Sequence, residues 1–171
     1  MSENRSDTVT LRKIFGKADI CGKTALVLST WFGAGLIPKA PGTFGTLAGL
    51  PLVLITKYFG ALYQAIFLLA FVLLAIWSSE QSYRLLGRED PPEVVIDEVA
   101  GYLLALFFLH SSWLTVSLGF FLFRFFDIWK PFPIKKIEAF TGGPGIVLDD
   151  LAAGLCANLI IRGILLLIEY T

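Results

Sequence analysis

The chain has 171 residues, of which 56% are apolar and 16% are charged, and its 14 Lys and Arg balance its 14 Asp and Glu. Soluble domains carry about 25% charged residues, so this composition indicates a membrane protein. The apolar content excludes a disordered chain, and the balanced charge excludes a nucleic-acid binder, because no basic surplus is left to neutralise phosphates. The length fits a single domain.

The N-terminal 23 residues are polar, mixed in charge and without the apolar stretch of a signal peptide. We therefore predict a cytosolic tail over residues 1–23 and one membrane-embedded helical domain over residues 24–171. Thr24–Pro38 is uncharged but short, and its tryptophan and glycines are typical of an interfacial segment rather than a crossing.

A membrane-spanning helix needs ~20 mostly apolar residues, and Tyr58–Ser79 meets this requirement without ambiguity. The last helix, from Leu151 to Ile168, is also expected to span, with Arg162 snorkelling to the interface. The remaining predicted elements are a shorter crossing helix, a polar loop and a Pro/Gly-rich loop, at Ala40–Thr56, Glu80–Pro92 and Pro131–Gly145.

The uncharged stretch Val99–Phe123 is either one long crossing or a hairpin that folds back at residues 110–113. A hairpin places every Lys and Arg except Lys57 and Arg162 on one side of the membrane, whereas a single crossing leaves only a weak asymmetry of 8 against 5. The positive-inside rule favours the hairpin and makes the basic side cytoplasmic. Its predicted arms, Glu93–Leu109 and Trp113–Trp129, are each about 25 Å long, shorter than a hydrocarbon core of ~30 Å.

The expected fold is therefore all-α. We predict a compact helical integral membrane protein with a short helical hairpin and an interfacial N-terminal segment. The sequence leaves the oligomeric state open.

Five acidic residues border the apolar segments and share the cytoplasmic side of this topology: Asp97, Glu98, Asp127, Asp149 and Asp150. Helix capping explains acids at helix starts, but it does not explain Asp127, which lies near a helix C-terminus where the dipole disfavours a carboxylate. Acids at a membrane are costly unless they face a cavity, pair with cations or hold a metal. The group therefore indicates a functional site.

Carboxylates without a His or Cys partner suit a hard cation, and one that keeps waters and meets phosphate is Mg²⁺. Arg124 and Lys130 flank Asp127 at i−3 and i+3 and are the expected anion partners. Exposed amide groups at two helix starts, one after Lys39 with the Thr43 hydroxyl and one at Gly143 and Gly145, are expected to receive phosphate oxygens. Gly45 and Gly49 are expected to permit close helix packing.

Four motifs carry a family resemblance: PGTFGTLAGLP (41–51), VIDEVAGY (95–102), FRFFDIWKPFPI (123–134) and GGPGIVLDDLAAG (142–154). Together, and in this order, they resemble the bacterial phosphatidylglycerophosphatase A family over roughly residues 25 to 168. The resemblance implies a Mg²⁺-dependent membrane phosphatase of the bacterial inner membrane. Such an enzyme removes the terminal phosphate of phosphatidylglycerophosphate to give phosphatidylglycerol.

Under this hypothesis Asp97, Asp127 and Asp149 hold Mg²⁺, and Glu98 or Asp150 acts as a base or holds the metal's waters. Arg124 and Lys130 clamp the phosphoryl oxygens and stabilise the charge that develops in the transition state. The predicted substrate-binding residues are Lys39, Thr43, Gly143 and Gly145.

Other classes of function fit these residues less well than a phosphatase. A cation carrier or proton-coupled transporter would also collect carboxylates, but nearer the membrane midplane. A head-group transferase should carry the Asp-x2-Asp-Gly-x2-Ala-Arg motif, which is absent. The spacing of Cys156 and Arg162 fits a thiol phosphatase, but an apolar helix uses its amide groups internally. His110 lies alone, on the opposite side from the acids.

Overall fold

A computed structural model of the chain describes residues 11–110, 112–132, 134–137 and 141–169. Seven α-helices and a further helical segment at residues 11–17 form this part of the chain, and no strand occurs in it, so the all-α prediction is confirmed. A 3-10 turn at Ala34–Leu36 follows the helix Ile20–Ser29. The helices are α1 (Ile20–Ser29), α2 (Pro41–Thr56), α3 (Ala61–Leu86), α4 (Ile96–Ala105), α5 (Trp113–Trp129), α6 (Ile134–Ile137) and α7 (Gly142–Glu169).

The short helix α4 is the centre of the fold. It contacts α2, α3, α5 and α7, and nearly all of its residues are buried. Its largest buried side chain, Tyr102, packs against Phe123 of α5 and donates a hydrogen bond to the carbonyl oxygen of Val116 at 3.0 Å. The residues that define the acidic site are therefore anchored on the most enclosed helix of the molecule.

Glycines allow α4 to approach its neighbours closely. A Cβ atom on Gly45 or Gly49 of α2 would collide with Val95 or Val99, which confirms the predicted packing role of these two glycines. On the other side of α4, a Cβ on Gly154 of α7 would collide with the backbone of Gly101. Small residues at such crossings let helices associate through direct backbone contact.

The Val99–Phe123 segment is not one long helix. α4 ends at Ala105 and α5 begins at Trp113, where the Ser112 side chain accepts a hydrogen bond from the Thr115 amide at 3.1 Å. The predicted fold-back at residues 110–113 is thus confirmed, as is the second arm, Trp113–Trp129. The first arm was predicted too long, because its helix has only 10 residues, or about 15 Å.

Two other predicted boundaries were wrong. α3 continues through the predicted polar loop to Leu86, and Gly87 then ends it in a left-handed conformation. α7 begins at Gly142, so the Gly/Pro run forms its first turn rather than a preceding loop. The division between tail and membrane domain at residue 23 stays a prediction. Residue 23 lies inside α1, whose first turn is capped by the Asp19 carboxylate.

Among the described residues, two helices are long and apolar enough to cross a membrane, α3 and residues 142–168 of α7. α2 has 16 residues and α5 has 17, so each measures about 25 Å. Arg162 was expected to snorkel to the interface. Instead its guanidinium donates to the carbonyl oxygen of Phe107 and to the side chain of Asn158, both within the protein.

Candidate active site

A cavity of about 340 Å³ lies where the N-terminal ends of α2, α4 and α7 meet the C-terminal end of α5. The sequence predicted that five acids would gather on one rim, and the cavity is lined by all five together with Arg124 and Lys130. Further lining residues come from the start of α2 and from the segment before α4: Ala40, Pro41, Gly42, Asp90, Pro92 and Val94.

Helix packing brings the acids of α4 and α7 together. Asp97 lies one turn before Gly101 on α4, and Asp150 lies one turn before Gly154 on α7. Since residues four apart share a helix face, the contact between the two glycines brings the two carboxylates side by side one turn away. Asp97, Glu98 and Asp150 each offer a carboxylate oxygen, and these oxygens lie within 4.8 Å of one another. We call these three residues the acidic trio.

Two buried oxygens of the trio have no hydrogen-bond partner: Oδ1 of Asp97 and Oε2 of Glu98. Burial, and after it the charge of Glu98, raises the pKa of Asp97 well above its usual range. Burial, followed by the charge of Asp150, raises the pKa of Glu98 to about 8. Buried carboxylates that lie close together favour either protonation or a bound cation. Ligands that are all oxygen atoms suit Mg²⁺. The trio therefore fits a divalent metal ion.

The two cations of the cavity pair with the other two acids. Arg124 Nη1 lies 2.6 Å from Asp127 Oδ2 and 3.7 Å from Glu98 Oε1. Lys130 Nζ donates to Asp149 Oδ2 at 2.7 Å. Lys130 does not continue the helical face of Asp127 despite its i+3 spacing, because α5 ends at Trp129 and Lys130 turns into a left-handed conformation.

The structure thus divides the acids differently from the sequence hypothesis. Asp97, Asp127 and Asp149 were predicted as the metal ligands, but the oxygens that lie within ligand distance of one another belong to Asp97, Glu98 and Asp150. Asp127 and Asp149 instead form ion pairs with side chains from the end of α5.

The four predicted substrate-binding residues, Lys39, Thr43, Gly143 and Gly145, are not among the residues that line the cavity. The Gly143 amide donates to Glu80 Oε2 at 2.7 Å. The start of α2 does border the cavity, through Ala40, Pro41 and Gly42, and no side chain caps it. A Cβ atom on Gly42 would collide with Glu98 and crowd Arg124, so the glycine lets the backbone approach the site.

Sequence analysis missed Asp90, which lines the cavity and whose charge acts on both Asp97 and Asp149. Its position in a polar stretch before two prolines resembled an ordinary loop. Asp90, Ala40 and Lys130 all have positive φ angles between 43° and 51°, a conformation that side chains disfavour. Such strain tends to cluster at functional sites.

The alternative phosphatase nucleophiles do not enter this cavity. Cys156 and Arg162 lie within the continuous helix α7, and no phosphate-binding loop forms between them. His110 lies in the turn between α4 and α5, at the far end of α4 from Asp97 and Glu98.

Comparison with known proteins adds an independent finding. A family model described as Phosphatidylglycerophosphatase A matches residues 27–165. A protein of that name from Haemophilus influenzae is 38% identical over 141 residues, covering 81% of this chain and 86% of the relative. Its namesake from Escherichia coli is 36% identical over 132 residues, covering 75% and 76%.

A third relative, from Bacteroides thetaiotaomicron, is named as a candidate phosphatidylinositol-3-phosphatase. It is 34% identical over 146 residues, covering 80% of this chain and 90% of the relative. No solved structure gives a significant match.

Proposed function

The chain belongs to the phosphatidylglycerophosphatase A family, and from this premise we propose that it hydrolyses the terminal phosphomonoester of phosphatidylglycerophosphate. Water attacks phosphorus, the bond from phosphorus to the glycerol oxygen breaks, and the products are phosphatidylglycerol and inorganic phosphate. The observation that carries this proposal is a cavity in which buried, unpartnered carboxylate oxygens lie beside an arginine and a lysine.

Asp97, Glu98 and Asp150 would hold Mg²⁺. When bound, the metal supplies positive charge that neutralises phosphoryl oxygens and makes a coordinated water more acidic. The fit rests on three clustered carboxylates, on two orphaned buried oxygens and on the hard-donor chemistry of oxygen ligands.

Cationic and amide donors at the rim would bind the phosphoryl group. Arg124 is positioned by Asp127 and Glu98, and Lys130 by Asp149, so each cation is already oriented before substrate arrives. Preorganised donors of this kind stabilise charge that develops in the transition state. The uncapped first turn of α2 adds amide groups that can donate to phosphoryl oxygens.

We assign Asp127 as the proton acceptor for the attacking water. It lies outside the acidic trio, yet it lines the same cavity and contacts Asp150. The proton that it takes from water would pass to the leaving glycerol oxygen as the ester bond breaks.

Phosphate release from the purified protein in detergent tests this function. With phosphatidylglycerophosphate and Mg²⁺ we expect stoichiometric phosphatidylglycerol and inorganic phosphate, and we expect chelation of the metal to abolish both. Cation flux in reconstituted vesicles without phosphate release would instead support the transporter alternative. A lack of hydrolysis under all metal conditions would contradict the proposal.

The third relative's name makes phosphatidylinositol 3-phosphate the second substrate to assay. Both lipids present a phosphomonoester at a membrane surface, so kcat/KM for each, measured in the same mixed micelles, gives the head-group preference. We expect the glycerol head group to be preferred, because two relatives named for it match most of the chain.

We further propose that the site faces the cytoplasm at the bacterial inner membrane. The support is the excess of Lys and Arg at that end of the fold. A Glu89→Cys variant in a background without Cys21 and Cys156 should react with a membrane-impermeant maleimide only from the cytoplasmic side. Labelling of intact cells from the outside would reverse the assignment.

A further inference from the structure

A second hollow, of about 430 Å³, lies on the other side of the segment that leads into α4. Its walls come from the helical residues 11–17, from α1 and from the turn after α1, and they are almost entirely apolar. We call it the α1 groove and define it by Leu11, Phe15, Leu26, Val27, Phe32 and Leu36, with Arg12 as its charged member. Its size falls within the range of small-ligand sites.

The segment that leads into α4 packs against α1 and the turn after it, and it also lines the acidic cavity. A Cβ on Gly35, beside the groove residue Leu36, would collide with the backbone of Glu93. The amide of Val95 donates to the carbonyl oxygen of Ser29 at 2.8 Å, at the end of α1. Val94, between these two contact points, lines the acidic cavity.

The path along the chain is also short. Leu36 lines the groove and Ala40 lines the cavity, and four residues span at most about 14 Å between their Cα atoms. A ligand whose phosphorylated head group binds in the cavity can therefore extend into the groove.

The groove's chemistry matches the rest of a phospholipid. Apolar walls accept hydrocarbon, and Arg12 offers a guanidinium at the edge for a phosphodiester. We propose that the α1 groove binds one acyl chain of the phospholipid substrate, with Arg12 beside the phosphodiester that joins the chains to the head group. This proposal rests on the proposed function, because it takes the phosphomonoester to be bound in the acidic cavity.

The turn after α1 lines the groove, and its strained backbone supports a binding site there. Trp31, Phe32 and Gly33 all have positive φ angles, which strains the first two residues. This backbone holds the Phe32 ring at the groove although 71% of its surface is exposed. The Thr30 hydroxyl fixes the start of the turn by donating to the carbonyl oxygen of Leu26 at 2.8 Å.

Val27→Trp tests the acyl-chain part of the proposal, because the added ring fills the groove from α1. We expect the ratio of kcat/KM for a long-chain substrate to that for a dihexanoyl substrate to fall about tenfold, mainly through KM, which is ~1.4 kcal/mol of lost apolar contact. Ile66→Trp, which adds the same ring on an exposed face of α3, is the matched control and should keep the wild-type ratio.

Arg12→Gln tests the phosphodiester part. We expect a several-fold rise in KM for both the long-chain and the dihexanoyl substrate, because both contain the phosphodiester. Lys13→Gln changes the neighbouring exposed cation, which does not line the groove, and should leave both KM values as in the wild type. All assays use a fixed mole fraction of substrate in neutral detergent, so that surface charge does not change the local substrate concentration.

The outcomes separate this proposal from the proposed function. If the wild type hydrolyses both substrates but Val27→Trp keeps their ratio, the groove holds only detergent or bulk lipid and the proposal is overturned. Equal changes in the Arg12 and Lys13 variants would overturn the role of Arg12. If the wild type hydrolyses neither substrate, the proposed function itself has failed.

Discussion

The two ends of α4 both contain buried polar groups, but only one end satisfies them within the protein. At the C-terminal end, Asn158 Nδ2 donates to the carbonyl oxygens of Leu104, Ala105 and Phe107. Arg162 adds a bond to Phe107, and Lys57 donates to the carbonyl oxygens of Leu106 and Leu109. At the N-terminal end, one oxygen of Asp97 and one of Glu98 have no partner.

This difference separates structure from function. A buried polar atom without a partner costs about 1–3 kcal/mol, so a helix end that is fully capped by neighbouring side chains is a structural solution. The same fold leaves one oxygen of Asp97 and one of Glu98 without a partner only a few turns away. We infer that their missing partner arrives with the ligand, whereas Asn158, Arg162 and Lys57 exist to let a short helix end inside the protein.

The largest effect on activity is expected at the N-terminal end of α4, where the acidic trio lies. Asp97→Asn or Asp150→Asn should lower kcat/KM about 10³-fold or more, a loss of ~4 kcal/mol of transition-state stabilisation. The metal-free variants should melt at or above the wild-type temperature, because a buried carboxylate without a counter-charge has been removed. Phosphate release and thermal unfolding measure the two quantities.

Glu89→Gln is the control for these variants, since it neutralises a nearby exposed acid that does not line the cavity. Near wild-type turnover in both trio variants would contradict the metal assignment.

A smaller loss of activity is expected from a change in the helix packing that sets the distances between the residues of the acidic trio. Gly154→Ala places a methyl group against the Gly101 backbone and should cost about 1–3 kcal/mol of stability. A displacement of about 1 Å at the carboxylates would lower kcat about 10²-fold. Gly163→Ala on the same helix meets nothing within 4 Å, so it should leave kcat unchanged and raise stability by about 0.5–1 kcal/mol through its helix propensity. Equal behaviour of the two variants would show that the glycine contact does not position the site.

A weaker effect on turnover is expected at the capped end. Asn158→Leu keeps the side-chain size but removes the donor shared by three carbonyl groups, which should cost about 1–3 kcal/mol of stability. Well below its melting temperature, the variant should keep kcat/KM within a few-fold of the wild type. A loss as deep as that of Asp97→Asn would mean that the two ends of α4 are not separable.

The sequence predicted the features that depend on local pattern. The charge distribution located the fold-back near residue 110, and acids that helix capping does not explain identified five of the six carboxylates that line the cavity. Helix ends were predicted less well. α3, for example, continues through charged residues, because Glu80 and Arg84 form an i,i+4 ion pair that stabilises its last turns.

The grouping of the acids could not be predicted, because it depends on which helix faces touch. One crossing, at Gly101 and Gly154, brings Asp150 rather than Asp149 beside Asp97. The donors at the far end of α4 were missed for the same reason. Asn158 and Arg162 resemble a polar interruption of a membrane helix until the carbonyl groups that they satisfy are known.

The smallest expected effect is a dependence on pH. Burial first, and neighbouring acids second, raise the pKa of Asp97 and raise that of Glu98 to about 8. The folded, metal-free protein therefore holds protons that the unfolded chain, with acids titrating near ~4, has released. Its free energy of unfolding should fall as pH rises through this interval, since the folded state binds more protons.

Mg²⁺ requires ionised carboxylates, so its binding releases these protons and should tighten between about pH 6 and 8. Melting temperatures with chelator and with Mg²⁺, taken across this range, should diverge as pH rises, while the half-saturating Mg²⁺ concentration for turnover falls. Asn158→Leu removes no titratable group and should keep the wild-type slope, whereas Asp97→Asn should flatten it. If the metal-free protein instead gained stability from pH 5 to 8, this would contradict the inference that a bound cation compensates these acids.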